Sequence, residues 1–324
     1  MKKMKIGFIG LGNVGSKLAG SLRRNGFELV VRDLDRETAK PLIEQGADWG
    51  NSPREIVEQV DMVITCLPNP AASAEVMEAD DGILAGLAPG KLWAEMSTTD
   101  EVEVRRLGQR VIDKGAEPID CPVSGGCHRA ATGNISIFVG TERATFDKAF
   151  PVIRAMGRQI LHTGPLGSAS ILKVVTNYLA SVNLVAIGEA MMTAHCAGIE
   201  LSTTYEAIRI SSGNSFVHET EGQVILNGSR DINFTLDLVV KDMTLFQAVA
   251  DRGRVPLEMS PLVLEIFKDG EKRYGSREWS PNIVRRLEEA CGHQLLAPGF
   301  PSEIVDREGE EAGEEIVPMP SQSI

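Results

Sequence analysis

Residues 5–15 read KIGFIGLGNVG, and this stretch decides the fold of the N-terminal half of the chain. Its first residues predict a short buried strand, and the SKLAGSLRRNG that follows predicts a helix. Between them lies a G-x-G-x-x-G loop, Gly10-Leu11-Gly12-Asn13-Val14-Gly15. In such a loop the first glycine permits a tight turn, the second lets the backbone approach a pyrophosphate, and the third lets the helix pack on the strand. The stretch therefore predicts a dinucleotide site, although an ordinary strand-to-helix turn could show the same glycines.

An acidic residue stands where a dinucleotide site needs one. Asp33 ends the next predicted strand, FELVVRD, within the interval of about 20 residues that this fold uses. Its carboxylate can accept hydrogen bonds from a ribose diol and would repel a 2′-phosphate, which favours NAD over NADP. Arg32 and Arg36 act against this preference, because a nearby guanidinium can pair with that phosphate.

Short apolar runs alternate with amphipathic segments as far as residue 165, which predicts an α/β fold. We expect residues 1–165 to form an N-terminal Rossmann domain with a doubly wound parallel sheet, in which NISIFVG is an edge hairpin. A long interdomain helix then opens an all-α domain over residues 166–291. Residues 292–324 are rich in Pro, Gly and Glu and are expected to form a solvated acidic tail.

Charge and composition exclude several classes of partner. The chain has 33 basic and 45 acidic residues, a net charge of -12, which disfavours nucleic acid and anionic membranes. The N-terminus lacks the apolar stretch of a signal peptide, and no uninterrupted apolar run approaches the ~20 residues that span a bilayer. The five cysteines show no CxxC spacing, so neither a disulfide framework nor a metal site is expected. These features predict a cytoplasmic protein with reduced cysteines in its core.

A lysine lies in the apolar segment that predicts the long helix. One stripe of that helix carries Ser170, Lys173, Asn177 and Ser181, and the other faces are almost entirely apolar. Burial lowers the pKa of a lysine from about 10.4 toward the range in which it exchanges protons at neutral pH. A lysine that snorkels to the surface or pairs with a carboxylate would give the same pattern, so the pattern alone does not decide between these roles. The dinucleotide loop favours the catalytic role, because an alcohol that loses hydride must also lose a proton.

A second glycine loop follows a later strand. Ser124, Gly125 and Gly126 in DCPVSGG are expected at the carboxyl edge of the sheet, where ligands bind in open α/β folds. Their hydroxyl and unhindered N–H groups suit a carboxylate, although a plain turn is the alternative. His128 and Arg129 come directly afterwards and could add positive charge for an anionic substrate, or could simply be solvated.

Six motifs, in this order, resemble those of the β-hydroxyacid dehydrogenase family, which includes 3-hydroxyisobutyrate dehydrogenases and tartronate semialdehyde reductases. The resemblance covers roughly residues 4–290, and its motifs are GFIGLGNVG, CLPNP, MSTT, DCPVSGG, GPLGSASILKVVTN and VVKDMTL. It implies an NAD-dependent oxidation of a β-hydroxy acid to its semialdehyde by a homodimer or homotetramer.

The resemblance also implies roles for single residues. Lys173 would be the acid/base and Asn177 would orient the reacting oxygen. The substrate carboxylate would be held by Ser124, Gly125 and Gly126, and the cofactor would be lined by Leu67, Pro68, Thr98 and Lys241.

Val14 replaces the methionine that is usual in the first motif, and Ala169, Thr176 and Arg129 also depart from the family pattern. The last three leave the identity of the substrate undecided. Two alternatives remain. An imine reductase resembles this family but usually carries another residue in place of Lys173, and a regulator that binds NAD without catalysis would not need Ser124, Lys173 and Asn177 together.

Overall fold

The structure is a computed structural model in which residues 3–318 are described. The chain divides into two compact units. The first contains Met1–Lys173 together with Asp306–Ile324, and the second contains Val174–Val305.

The first unit is built on one sheet. Its strands are β1 (Ile6–Ile9), β2 (Leu29–Arg32), β3 (Asp48–Trp49), β4 (Met62–Thr65), β5 (Leu92–Glu95), β6 (Glu117–Asp120), β7 (Val123–Ser124), β8 (Ile135–Gly140), β9 (Gly157–Gly164) and β10 (Glu314–Glu315). Their order is β10-β9-β8-β6-β5-β4-β1-β2-β3, with β7 paired to β8. Strands β1 to β6 pair in parallel, and β8 runs antiparallel to β6 and β7. The strand order reverses between β1 and β4, which is where a crevice opens in sheets of this kind.

Helices cover both faces of this sheet. They are α1 (Gly15–Arg24), α2 (Lys40–Glu44), α3 (Pro53–Gln59), α4 (Pro70–Glu78), α5 (Ile83–Gly86), α6 (Glu101–Asp113), α7 (Gly126–Thr132) and α8 (Arg143–Ile153). Successive residues of β4 enter different cores: Met62 and Ile64 belong to one apolar cluster and Val63 to another. This alternation is the period of a strand that is buried on both faces, and it confirms the predicted doubly wound Rossmann sheet.

The second unit is helical. Its elements are α9 (Ser168–Cys196, which begins in the first unit), α10 (Leu201–Arg209), α11 (Phe216–Asn227), α12 (Leu236–Arg252), α13 (Met259–Tyr274) and α14 (Arg285–Cys291), with a 3-10 turn over Ser280–Val284. Only an isolated bridge between Thr235 and Trp279 adds β structure among the described residues of this unit. The core packs around the fully buried Met191, Met243 and Phe267.

Helix α9 is long and apolar enough to cross a membrane by length and composition, alone among the helices of residues 3–318. In its most apolar stretch 33% of the residues are buried. Ser170, Lys173, Thr176 and Asn177 interrupt its apolar residues, so the helix holds no run of ~20 consecutive apolar residues even though its average hydropathy is high. One such helix is weak evidence for a membrane segment, since the core helix of a soluble protein passes the same test.

The segment predicted to be a solvated tail is exposed along most of residues 292–318, and it is bonded to the rest of the chain at several points. Leu295 is fully buried, and the Ala297 amide donates to the Leu226 carbonyl in the second unit. From Asp306 the chain rejoins the first unit, where Glu310 accepts a hydrogen bond from Asn25. Residues 319–324, also assigned to the tail, lie outside the described residues.

Two other predictions fail. Residues 134–140 do not form an edge hairpin, because β9 and β10 extend the sheet beyond β8. Cys121 and Cys127 are buried free thiols as expected, but Cys196 and Cys291 are exposed.

Candidate active site

The three glycines of the first loop have different surroundings. Gly10 has φ +97, and a Cβ there would lie 2.2 Å from the Cys66 carbonyl oxygen. A Cβ on Gly15 would lie 2.1 Å from the Gly10 carbonyl oxygen, whereas one on Gly12 would meet nothing within 4 Å. Gly10 and Gly15 are thus required by the protein's own packing. Gly12 borders open space, which leaves room for a pyrophosphate next to the start of α1.

Asp33 lies against this loop. Its Oδ2 accepts a hydrogen bond from the Leu11 amide at 2.6 Å, so the carboxylate is held beside the glycines. Arg32 is directed elsewhere, because its guanidinium donates to the carbonyl oxygens of Gly50 (3.2 Å) and Asn51 (2.5 Å). The guanidinium of Arg36 lies over the Trp49 ring, 5.4 Å from its centroid.

The ends of β4 and β5 are joined by a buried network that the sequence did not indicate. The Leu67 amide donates to Ser97 Oγ at 2.7 Å, and both the amide and the hydroxyl of Ser97 donate to Glu95 Oε1. Glu95 is 1% exposed, and burial raises the pKa of its carboxyl group. This network fixes the backbone of Leu67 beside Gly10, while Pro68 and Thr98 remain accessible.

The second glycine loop is covered by its own helix. Ser124 ends β7 and pairs with Ser136 of β8, and Gly125 and Gly126 have φ values of +124 and +85. A Cβ on Gly126 would lie 2.9 Å from His128 Cε1, and one on Gly125 would lie 3.3 Å from Arg129 Cδ. The side chains of His128 and Arg129 therefore fold back over the two glycines. The pKa of His128 is lowered mainly by burial, and the positive charge of Arg129 lowers it further.

Asp120, the first residue of DCPVSGG, anchors the start of α9. Its Oδ1 accepts from the Gly167 amide at 2.8 Å, and its Oδ2 accepts from the amide and the hydroxyl of Ser170 at 2.8 and 2.9 Å. The carboxylate is fully buried, which raises its pKa, and the three donors act in the opposite direction. No role for Asp120 was predicted from the sequence, although a carboxylate is a good acceptor for the unpaired amides of a helix N-terminus.

Lys173 lies one turn beyond Ser170 and is 8% exposed. Asn177 follows on the next turn, and its Nδ2 donates to Asp242 Oδ2 at 2.5 Å. Asp242 is 1% exposed, and its Oδ1 lies 2.9 Å from the Lys241 ammonium. A role was predicted from the sequence for Lys241 but not for Asp242, whose carboxylate orients Asn177.

Most of the predicted site residues therefore converge on one edge of the first unit. Several of them follow the carboxyl ends of β1, β2, β4, β5 and β6, namely the glycine loop, Asp33, Leu67, Pro68, Thr98 and Ser124. The hydrogen bonds of Asp120 to Gly167 and Ser170 hold the start of α9, and with it Lys173, at the same edge. Asn177 and Lys241 belong to the second unit. Within residues 3–318 no group of three or more His, Cys, Asp or Glu side chains could hold a metal ion. The arrangement can bind a dinucleotide at the glycine loop and holds a buried lysine at the same edge of the sheet.

Comparison with known families agrees with this geometry. Residues 5–164 match the NAD-binding domain of 6-phosphogluconate dehydrogenase. Residues 167–287 match the NAD-binding domain of NADP-dependent 3-hydroxyisobutyrate dehydrogenase. The two matches meet at the start of α9.

Individual relatives cover nearly the whole chain. A 2-(hydroxymethyl)glutarate dehydrogenase of Eubacterium barkeri is 30% identical over 90% of this chain and 97% of its own. An NAD-dependent L-serine dehydrogenase of Pseudomonas aeruginosa is 34% identical over 87% of this chain and 97% of its own. The crystal structure of a 3-hydroxyisobutyrate dehydrogenase from Salmonella typhimurium superposes with a TM-score of 0.80, at 26% identity over 88% of this chain and 100% of that one. The chain therefore belongs to the β-hydroxyacid dehydrogenase family and is an NAD(P)-dependent oxidoreductase that acts on CH–OH groups.

Proposed function

We propose that this enzyme reversibly oxidises a β-hydroxy acid to its semialdehyde, with Lys173 as the acid/base. The observation that carries the proposal is the anchoring of α9 by Asp120, which holds a buried lysine at the edge where the glycine loops lie. Burial of a lysine favours its neutral amine, which can accept a proton and later return it, and the fold holds the side chain in place for that transfer.

The chain's own residues would manage the proton and the reacting oxygen. In the oxidation direction Lys173 Nζ takes the hydroxyl proton, and in the reverse direction it returns that proton. Asn177, whose side-chain amide is held by Asp242, would orient the reacting oxygen. These two groups stabilise the oxygen as negative charge develops on it, a type of interaction that often contributes several kcal/mol to catalysis.

The cofactor site fits NAD. When bound, the nicotinamide supplies hydride transfer, and the open space at Gly12 and the N-terminus of α1 would receive the pyrophosphate. Asp33 is held beside the loop, where it would accept hydrogen bonds from the ribose diol. The engagement of Arg32 with Gly50 and Asn51 supports NAD over NADP, since that guanidinium is turned to the backbone.

The substrate would be held by its carboxylate at Ser124, Gly125 and Gly126. His128 and Arg129 cover this loop, and Arg129 adds positive charge that favours a second anionic group. A relative is named for 2-(hydroxymethyl)glutarate, a dicarboxylate, which makes that acid the first to test. 3-Hydroxyisobutyrate, L-serine and a hydroxy sulfonate complete the panel.

The test is turnover of this panel with NAD by the wild type and by Lys173→Ala, with NADH formation followed optically. We expect the variant to lose at least about 100-fold in kcat, as removal of a general acid/base does, and to keep its affinity for NADH. Lys272→Ala, which removes an exposed lysine, serves as the matched control. Near-normal turnover by Lys173→Ala contradicts the assignment, and turnover of a cyclic imine in place of all four acids favours the imine reductase alternative.

A homodimer or homotetramer stays a prediction. Light scattering on the purified protein measures it directly.

A further inference from the structure

Residues 306–316 form an extended segment that we call the strap. It begins where the chain returns to the first unit, and it lies beyond residue 287, where the match to the family models ends. The strap is therefore a feature of this chain that the family match does not account for.

The distal half of the strap is fixed through its backbone. Glu314 and Glu315 form β10, which pairs in parallel with Gln159 and Ile160 of β9. The Gly313 amide donates to the Arg154 carbonyl at 2.9 Å, and the Ile316 amide donates to the Ile160 carbonyl at 2.7 Å. These bonds continue the sheet by one short strand and fix the register of the strap.

The proximal half of the strap holds the end of α7. Asp306 Oδ2 accepts hydrogen bonds from Thr132 Oγ1 and from Asn134 Nδ2, the latter at 2.8 Å. Asn134 Nδ2 also donates to the Glu308 carbonyl at 3.1 Å. The Glu310 side chain lies against Gly133, where an added Cβ would be 2.9 Å from its Oε1. The C-terminal turn of α7 is thus held by the strap from several directions.

Arg24 connects the strap, α7 and α1. Its Nε donates to Glu310 Oε2 at 2.8 Å, and its Nη2 donates to the Ala131 carbonyl at 2.9 Å. One guanidinium therefore links the strap to the last turn of α7.

Helix α7 needs such support. It has only seven residues, and its N-cap residue, Gly125, offers no side chain to cap it. A helix this short is not stable from its own hydrogen bonds and depends on tertiary contacts. Its first turn carries His128 and Arg129 over Gly126 and Gly125, while its last turn carries the contacts with the strap.

We propose that the strap is a positioning element for the substrate loop, and that Asp306 is the positioning residue that acts through α7. With Asp306 in place, α7 keeps His128 and Arg129 over the two glycines, and the substrate's carboxylate meets a preformed loop. This inference rests on the substrate role proposed above for Ser124, Gly125 and Gly126.

Asp306→Ala in the full-length enzyme tests the proposal with two readouts. Hydrogen exchange of residues 126–134 should rise by at least about tenfold in rate while exchange across β1 and β4 stays unchanged. The KM for 2-(hydroxymethyl)glutarate should rise by about tenfold with kcat changed less than about twofold, because a loosened carboxylate site weakens substrate and transition state alike. The affinity for NADH should not change.

Two further variants complete the experiment. Asp306→Asn keeps an acceptor oxygen of the same shape and should restore at least half of the wild-type protection of residues 126–134. Glu303→Ala removes an exposed acid just before the strap and should behave as the wild type in both readouts.

Unchanged exchange in residues 126–134 of Asp306→Ala overturns the proposal. Faster exchange there with an unchanged KM also overturns it, since the strap would then stabilise α7 without positioning the loop. If the wild type turns over none of the panel acids, the function proposed above fails, and the exchange data alone decide whether the strap braces α7.

Discussion

At the scale of single residues, the geometry of the site depends on three buried carboxylates, those of Glu95, Asp120 and Asp242, which are at most 1% exposed. The sequence pattern predicted Lys173 and Asn177, because helical spacing places them on one stripe. It gave no role to these acids, and for Asp120 and Asp242 the reason is that each acts on a partner that only the fold brings near. Asp120 lies 50 residues from Ser170, and Asp242 lies 65 residues from Asn177. Local spacing holds no information about such pairs.

Removal of the Asp242 carboxylate should reduce catalysis more than substrate binding. Asp242→Ala leaves Asn177 without the acceptor that orients its amide, and we expect kcat to fall about 10- to 100-fold with a smaller change in KM. Steady-state kinetics with the best acid of the panel measure this. Asp251→Ala on the same helix removes an exposed acid and should leave kcat unaltered. An equal loss in both variants would contradict an orienting role for Asp242.

The carboxylate of Asp33 should set the choice of cofactor. Asp33→Ser removes the acceptor for the ribose diol and the charge that repels a 2′-phosphate, so we expect kcat/KM for NAD to fall and that for NADP to rise. The ratio of the two should change by at least about tenfold toward NADP. Wild-type preference for NADP, or a ratio unmoved by the substitution, would rule out this role.

At the scale of elements, the contact between Asp120 and the N-terminus of α9 is expected to position Lys173. Asp120→Ala leaves the Gly167 and Ser170 amides without their buried acceptor, and we expect a loss of about 2–4 kcal/mol in unfolding free energy together with a fall in kcat. Ser215→Ala removes the capping oxygen of α11 and should cost about 1 kcal/mol with kcat intact. Urea unfolding and turnover assays separate the two effects. Retention of kcat in Asp120→Ala would show that the contact between Asp120 and the N-terminus of α9 does not position Lys173.

The sequence predicted some elements well and missed others for a physical reason. Strands β1, β2 and β4 are buried apolar runs between helices, so their period and their flanking turns are visible locally. Strand β9, GRQILHTG, mixes polar and apolar residues because much of it is only partly buried, and it was not predicted. Strand β10 consists of two glutamates within an acidic segment, where composition indicates solvation. Only the pairing with β9 reveals it.

At the scale of the whole molecule, stability should fall as pH rises toward the weakly alkaline range. Burial raises the pKa of Glu221 in α11 from 4.5 to about 8. Between these values the folded protein keeps a proton that the unfolded chain has released, so the folded state binds more protons and loses stability as pH increases. Glu221→Gln removes this contribution.

Melting temperatures from about pH 5 to about pH 8 measure the effect. The decline should be shallower in Glu221→Gln than in the wild type, whereas Glu258→Gln, which alters an exposed acid, should follow the wild type. Parallel curves for all three proteins would mean that Glu221 ionises in the folded state much as it does in the unfolded chain.

The order of synthesis gives the strap a further consequence. The first unit is assembled from two pieces of chain, and all of Val174–Val305 is made between them. At about 5–20 residues per second, a ribosome completes the strap on the order of ten seconds after α7 has emerged. In that interval the open edge of β9 is available to other strands, and α7 lacks its brace. Maturation of the substrate loop thus has to wait until the strap has been translated, so a nascent chain can acquire its cofactor fold well before it can hold an acid.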